Sequence, residues 1–400
     1  MNFADFASPA FYQNPYPYYD QIRRAGALLP VGPRAMIAAH YNVIDALLRD
    51  RRMGKTYMQS VRARYGDAAT GQPVFQALDR TFLMMNPPTH TRLRTLLMKA
   101  FNARQVDTLR ELVHATTQEL IAPLRAKPTF DLISEFALPL PATIICRLLD
   151  IPYAEGAQYA EAASRLVSAF DLSPLDPPSL ELANEAARSL ETYFHRIVEQ
   201  RRARPGNDLI SALLSVEDEG TTLSDDEIVS NVILLFIAGH ETTTNVIGNT
   251  LVALFRNPER WAELQAQPSL LKAAMAECLR YDTPVQMTAR TAFEDVEVEG
   301  ATVPAGTVVF LLLGAGNRDA ATFSDPDTLD FHRVNPLPSL SFGGGIHYCL
   351  GARLAMLEIE TALESLIEAF PKMVPVDLDA LVWQKRNNVR GVESLRVQHT

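Results

Sequence analysis

From Thr89 to about Asn257, apolar residues recur mostly at intervals of three and four, the spacing of one helical face. The pattern breaks near Pro128, across residues 173–178 and at Pro205-Gly206. A further helix ends near Tyr281. Beyond it the periodicity shortens, and β-like pieces at Val296–Val298 and residues 307–313 are punctuated by Gly and Pro. A last helix spans residues 350–370 and stops at Pro371. No Ser/Gly linker, charge run or internal repeat divides these regions. The pattern predicts a mainly α chain with a smaller β region, an α+β fold, in one domain over residues 1–400. Length alone would suggest about two or three domains.

The longest helix is predicted over residues 223–257. Ser224 and Glu227 form a capping-box signature, and Asn257-Pro258 supplies the stop. At about 1.5 Å per residue it would run roughly 50 Å. Its middle reads Ala238-Gly239-His240-Glu241-Thr242-Thr243-Thr244, with a Gly and β-branched residues where a long helix should be strongest. Gly alone costs about 1 kcal/mol against Ala there. Two accounts follow: a second helix packs tightly on Gly239, or the helix opens locally to admit a flat cofactor or dioxygen.

Composition narrows the function. The chain has 37 Lys plus Arg against 47 Asp plus Glu, a net charge of -10, which argues against nucleic acid as the main partner. Cys146, Cys278 and Cys349 stand far apart with no CxxC pair, so neither a disulfide framework nor a cysteine-rich zinc site is supported. The N-terminus lacks a basic-then-apolar leader. The longest apolar run, residues 232–238, is far short of the roughly 20 residues of a membrane span. A cytoplasmic protein with no membrane segment is the expectation.

The chemistry lies ahead of the last helix, in Ser341-Phe342-Gly343-Gly344-Gly345-Ile346-His347-Tyr348-Cys349-Leu350-Gly351. A cysteine at a helix N-terminus is stabilised as thiolate, the metal-ligating form. The glycines let backbone N–H groups approach the sulfur and leave room for a flat ring. Five fixed positions in FxxGxHxCxG over this length give a chance match of roughly one in ten thousand.

This loop resembles the cysteine-ligand loop of the cytochrome P-450 family, the haem-thiolate monooxygenases. The resemblance extends from the Asn14-Pro15-Tyr16-Pro17 opening to Val397, and three further motifs stand in the family's order. It implies that Cys349 ligates the iron of haem b, that Phe342 packs beside the sulfur, and that Gly351 allows a close turn. The AGHETT stretch corresponds to the family's oxygen-binding helix: Ala238 would face the haem, Thr242 would hydrogen-bond the bound oxygen, and Glu241 would begin a proton relay. His240 is given no catalytic role. Glu277 and Arg280, one turn apart, with Arg333 would form the family's buried structural triad. His90 and Arg94, with Arg290 and His347, resemble its clamp on the haem propionates.

By the same resemblance the substrate pocket is lined by Leu83, Met84, Phe170, Leu234, Ile237, Val285, Gln286 and the Asn387–Val389 loop around Asn388. Mostly apolar, it implies a hydrophobic small molecule, with a lean to polyketide- and macrolide-type products of secondary metabolism. Electrons would come from a separate ferredoxin and flavoprotein reductase, docking near Arg104 and Arg353, and the chain would be a monomer. A peroxide-driven haem-thiolate enzyme and a non-catalytic haem-binding or recruitment protein are the alternatives. The Glu241-Thr242 pair disfavours the first, and the absence of an output domain disfavours the second.

Overall fold

The computed structural model describes residues 3–101, 103–171, 173–334 and 337–399. The chain divides into two compact units, each discontinuous in sequence: Met1–Gly54, Val113–Leu140 and Thr242–Thr400, and then Lys55–Leu112 and Pro141–Glu241. Helices dominate both. No helix among the described residues is long and apolar enough to cross a membrane.

The first unit holds the sheets. Strands β1 (Leu29–Gly32), β2 (Ala35–Ala38), β3 (Met53–Gly54), β5 (Thr288–Ala292) and β8 (Val308–Leu311) make one sheet in the order β1-β2-β8-β5-β3. Valine and threonine in β5 and β8 suit a pleated, half-buried surface. Under it, Val309 and Leu311 pack with Ile44, Leu47 and Leu48 of the Tyr41–Arg49 helix. β6 (Val296–Val298) and β7 (Ala301–Val303) form a hairpin. β4 (Thr129–Asp131), β9 (Val374–Pro375) and β10 (Arg396–Gln398) form a three-stranded sheet. β4 follows the break at Pro128 and places a short strand in the mostly helical stretch from Thr89 to Asn257, where no strand-rich segment was expected. Three residues are too few to show a period of two, and its partner β10 lies at the far end of the chain.

The long helix runs Asp225–Arg256. Its capping box is formed reciprocally: Ser224 N donates to Glu227 Oε2 at 2.9 Å and Glu227 N to Ser224 Oγ at 3.2 Å. The helix is unbroken through residues 238–244, so the local opening is not observed. The packing account holds instead. A Cβ added at Gly239 would stand 3.4 Å from Ile145 Cδ1 on the Pro139–Leu148 helix, so the missing side chain is replaced by a neighbour. Further along, Thr244 Oγ1 donates to Ala137 O at 3.1 Å, giving one threonine hydroxyl an acceptor outside its own helix.

Glu277 and Arg280 lie on the Leu271–Tyr281 helix, both nearly inaccessible to water. Arg280 donates to Glu277 in bidentate fashion, Nε to Oε2 and Nη2 to Oε1, each at 2.7 Å. Arg333 Nε adds a 2.9 Å bond to Glu277 Oε1, and Asp330 N one of 3.0 Å. The remaining guanidinium donors are spent on carbonyls: Arg280 reaches Asn317 and Pro326, and Arg333 reaches Ser324, Asp325 and Thr328. Asn317 passes the order onward, accepting from Leu340 N at 2.7 Å and donating to Ser341 Oγ at 3.1 Å. The cluster is therefore bonded, through one side chain, to the start of the cysteine loop. Removing one member of a buried ion cluster costs about 3–5 kcal/mol. Glu277→Gln, which leaves two guanidiniums without a counter-charge, is expected to destabilise by that order, read as a lowered urea midpoint with an unchanged slope.

Candidate functional site

In the first unit the cysteine loop is built from two short 3-10 turns, Leu340–Phe342 and Gly345–His347, followed by the Ala352–Ala369 helix with Gly351 as its N-cap. Gly345 has φ +62°, and a Cβ there would collide with the Leu48 carbonyl oxygen. A Cβ on Gly344 would press on Leu48 Cβ at 3.2 Å. Both glycines thus let the loop lie directly on the end of the Tyr41–Arg49 helix. Gly351 is different. Its φ is -86°, and no protein atom lies within 4 Å of an added Cβ.

Cys349 N donates to Phe342 O at 2.9 Å, closing the loop, and the Phe342 ring lies 6.2 Å from that of Tyr348. The Cys349 side chain is exposed, two residues before the helix N-cap, where the positive end of the helix favours a thiolate. Cys146 and Cys278 are buried. Desolvation pushes the Cys146 thiol up to about 11 and the Cys278 thiol higher still, which keeps both neutral. Sequence spacing set Cys349 apart from the other two; burial gives the physical reason.

Arg290 projects from β5 and is 4% exposed. Its Nη1 bonds Ala289 O at 3.0 Å and, more weakly, Thr288 Oγ1 at 3.4 Å. No carboxylate pairs with it among the described residues. Burial pushes its pKa down to about 10. At neutral pH this is still a charged guanidinium held out of water, a costly arrangement unless an anion completes it. His347, in the loop's second turn, has both ring nitrogens buried. An exposed thiol before a helix start and a buried arginine with no carboxylate partner among the described residues fit a group that carries both a thiophilic metal and carboxylates.

The second unit holds the other predicted anion-binding pair. His90 occupies the first turn of the Thr89–Ala100 helix at 1% exposure, with its ring 6.1 Å from that of Phe82. Arg94 follows one turn later on the same face, with Nη1 buried. The entry to this helix is fixed by Asn86, which accepts from Lys55 N and donates to Lys55 O, both at 2.8 Å.

Along the long helix, Ala238 is exposed although Ile237 and His240 beside it are buried. Glu241 and Thr242 are half-buried, while Thr243 and Thr244 are buried. Positions 238, 241 and 242 share one side, so a single open stripe runs down an otherwise buried helix. His240 instead points its Nδ1 at Phe236 O, 2.8 Å away, and packs against the Phe236 ring, as a core histidine does.

The pocket positions divide in the same way. In the second unit, Leu83 and Met84 are half-buried, Phe170 packs 6.0 Å from the Tyr57 ring, and Leu234 and Ile237 are buried. In the first, Val285 forms a bridge with Val389, and Gln286 N donates to Asn388 O at 2.9 Å. The Gln286 side chain is committed internally: Oε1 accepts from Tyr19 Oη at 2.8 Å and Nε2 donates to Thr283 O at 2.6 Å. Its amide is thus a strut within the fold rather than a substrate contact, which corrects the expectation. Of the expected partner-docking pair, Arg353 is exposed, and the Arg104 side chain lies outside the described residues.

Residues 51–379 match the family profile described as Cytochrome P450. The chain belongs to the cytochrome P450 family. It is 49% identical over 395 residues to a putative cytochrome P450 133B2 of Xylella fastidiosa, covering 99% of this chain and 98% of that one. It is 35% identical to the biotin biosynthesis cytochrome P450 of Bacillus subtilis, with 98% of each chain covered. Among solved structures, P450BioI in complex with an acyl carrier protein ligated to hexadec-9Z-enoic acid superposes with a TM-score of 0.92 at 33% identity, over 98% of this chain and 100% of that one. This P450 is accordingly an oxidoreductase of the monooxygenase class whose cofactor is haem b.

Arg290 separates fold from cofactor. Its depressed pKa means that folding disfavours the protonated form, so without an anion stability is lower below about pH 10 and recovers as pH rises toward the ordinary arginine value. At pH 7, haem-free Arg290→Met is expected to melt no lower than the haem-free parent. Loaded with haem, the same variant should lose it about tenfold or more faster to a scavenger protein, the effect of one charge-assisted hydrogen-bond partner.

Proposed function

We propose that this P450, as a single catalytic domain over residues 1–400, inserts one oxygen atom of dioxygen into a hydrophobic small molecule. The observation that carries the reading is the exposed Cys349 thiol at a helix start, held in a loop bonded through Asn317 to the Glu277–Arg280–Arg333 cluster. Haem b, when bound, supplies the binding and reductive activation of dioxygen. Cys349 as thiolate would be the iron ligand, with Phe342 beside the sulfur and Gly351 at the turn into the helix. Arg290, His347, His90 and Arg94 hold the propionates by charge-assisted hydrogen bonds, for which arginine offers a planar, bidentate fork. Ala238, a methyl group on the open stripe of the long helix, leaves space for a flat ring.

Thr242 and Glu241 handle protons. The Thr242 hydroxyl donates a hydrogen bond to oxygen at the reaction centre, and the Glu241 carboxylate exchanges protons between that hydroxyl and solvent, a general-acid role. Electrons arrive from a separate ferredoxin and flavoprotein reductase, with Arg353 on the docking face, and the protein works as a monomer in the cytoplasm. Leu83, Met84, Phe170, Leu234, Ile237, Val285 and Asn388 line the substrate pocket. Apolar apart from Asn388, they support a polyketide-type chain or macrolide, and the fatty acid ligated to the acyl carrier protein in the P450BioI complex is of kindred chemistry.

Two experiments test this. In the reduced carbon monoxide complex the parent should show the red-shifted absorbance band of thiolate ligation; Cys349→Ser should lose it, and Cys146→Ser and Cys278→Ser should keep it. An unshifted band in folded, haem-loaded parent protein would refute the ligand assignment. With ferredoxin, reductase and a turned-over substrate, Thr242→Ala should raise hydrogen peroxide formed per NADH consumed about several-fold, because proton delivery to the bound oxygen is lost. Glu241→Ala should instead slow NADH consumption. Unchanged peroxide yield and rate in both would exclude the relay.

A further inference from the structure

Behind the Asn387–Val389 loop lies a buried polar cluster that the reaction does not use. Arg390 is 6% exposed, and every part of its guanidinium is engaged: Nε donates to Asp282 Oδ1 at 2.9 Å, Nη1 to Tyr12 O at 2.7 Å and Nη2 to Gln13 O at 3.3 Å. Its Cζ lies 3.4 Å from the Trp383 ring centroid. Asp282 Oδ1 also accepts from Tyr16 Oη at 2.8 Å, and Tyr16 in turn stacks on Arg318 at 3.6 Å. The Tyr16 hydroxyl is pushed well up by burial and by Asp282, so it stays a donor at all working pH values. Asn249, from the long helix, donates its Nδ2 to both Asp282 O and Arg390 O, at 3.3 and 3.1 Å.

The backbone of the same residue fixes the loop. Arg390 N donates to Pro284 O at 2.7 Å, and one step back Val389 bridges Val285 while Asn388 O accepts from Gln286 N. Residues 284–286 and 388–390 therefore form a two-sided ladder whose end is nailed down by Arg390. Within that ladder Asn388 Oδ1 is buried and accepts no hydrogen bond from any described residue. An amide oxygen in that position costs stability unless a ligand donor meets it.

We propose that Arg390 is a positioning residue for the substrate loop, and that residues 12–16 near the N-terminus set its place through Arg390 and Asp282. This rests on the pocket reading above and adds its cause: loop backbone carries no rigidity of its own, so a site on a loop is precise only where buried partners over-determine it. Arginine is required because a lysine at 390 could keep one contact but not the fork that spans Asp282 and two carbonyls. Asn388, so held, offers its amide oxygen to a hydroxyl, amide N–H or acid O–H of the substrate.

The test uses haem-loaded protein and two iron-ligating probes, imidazole and phenylimidazole, titrated by the shift of the haem band. Imidazole reports access to the iron; the phenyl arm of the second reports the pocket wall. Arg390→Lys should weaken phenylimidazole about tenfold and Tyr16→Phe about threefold, with imidazole affinity within about twofold of the parent, since misplaced walls cost affinity without touching the metal. The carbon monoxide band should be unchanged in both. Should Arg390→Lys fail to load haem, Tyr16→Phe, which deletes one hydroxyl, carries the test alone. Equal weakening of both probes, or no change in phenylimidazole, overturns the proposal. Loss of the thiolate band in the parent would instead refute the underlying haem-thiolate reading, so the two failures are distinct.

Discussion

The rest of the first unit depends on where the charge of Glu277 goes. A carboxylate buried at this depth is tolerable only if opposite charge and hydrogen bonds replace its water. Here two guanidiniums and a backbone N–H do so, and the guanidiniums then have donors left over. Those donors capture carbonyls from residues 317 to 328, a stretch with almost no regular structure between β8 and the cysteine loop. One charge thus orders a long irregular segment that helix or sheet hydrogen bonds could not. Asn317, whose own carbonyl accepts from Arg280, bonds the Leu340 N–H and the Ser341 hydroxyl, so the start of the cysteine loop inherits that order.

The long helix shows the opposite use of packing. Its mid-section is weak by intrinsic propensity, yet it remains regular because Ile145 occupies the space at Gly239 and a carbonyl outside the helix takes the Thr244 hydroxyl. Regularity matters more than flexibility here. Ala238, Glu241 and Thr242 fall on one open stripe only if the turn between them keeps its 3.6-residue pitch. Local unwinding would scatter them. The small and β-branched residues that suggested an opened helix are better explained as the shapes needed for close neighbours on one side and open space on the other.

How much of this was legible in the sequence follows from the range of each interaction. The capping box, the last helix and the cysteine loop are local, and residues three or four apart betray them: Ser224 with Glu227, Gly345 through Cys349. Glu277 and Arg280 were legible as a pair by the same rule, and Arg333 only through family resemblance. Strand β4 was not legible, since its ladder is written half in Thr129–Asp131 and half in Arg396–Gln398. Gln286 was misjudged for a kindred reason. Its place in the chain suited a pocket, but its amide is claimed by Tyr19, a partner that no spacing rule connects to it. The Tyr16–Asp282–Arg390 cluster escaped for the same cause, joining the two ends of the chain through one carboxylate oxygen.

Three buried ionisable groups in the first unit show how one low-dielectric interior separates structure from chemistry. Glu277 is met by two arginines. Glu358, on the helix that follows the cysteine loop, has no such partner among the described residues, and burial raises its pKa well above the ordinary carboxylate value. Both solutions close the account within the protein. Arg290 does neither. Its pKa falls only to about 10, so at neutral pH it remains a cation with no carboxylate among the described residues to meet it. A guanidinium cannot shed its proton as readily as a carboxyl gains one, so the interior can silence Glu358 but not Arg290. In the proposed haem clamp the cofactor carboxylates would meet this charge, and binding would then add to the stability of the folded state.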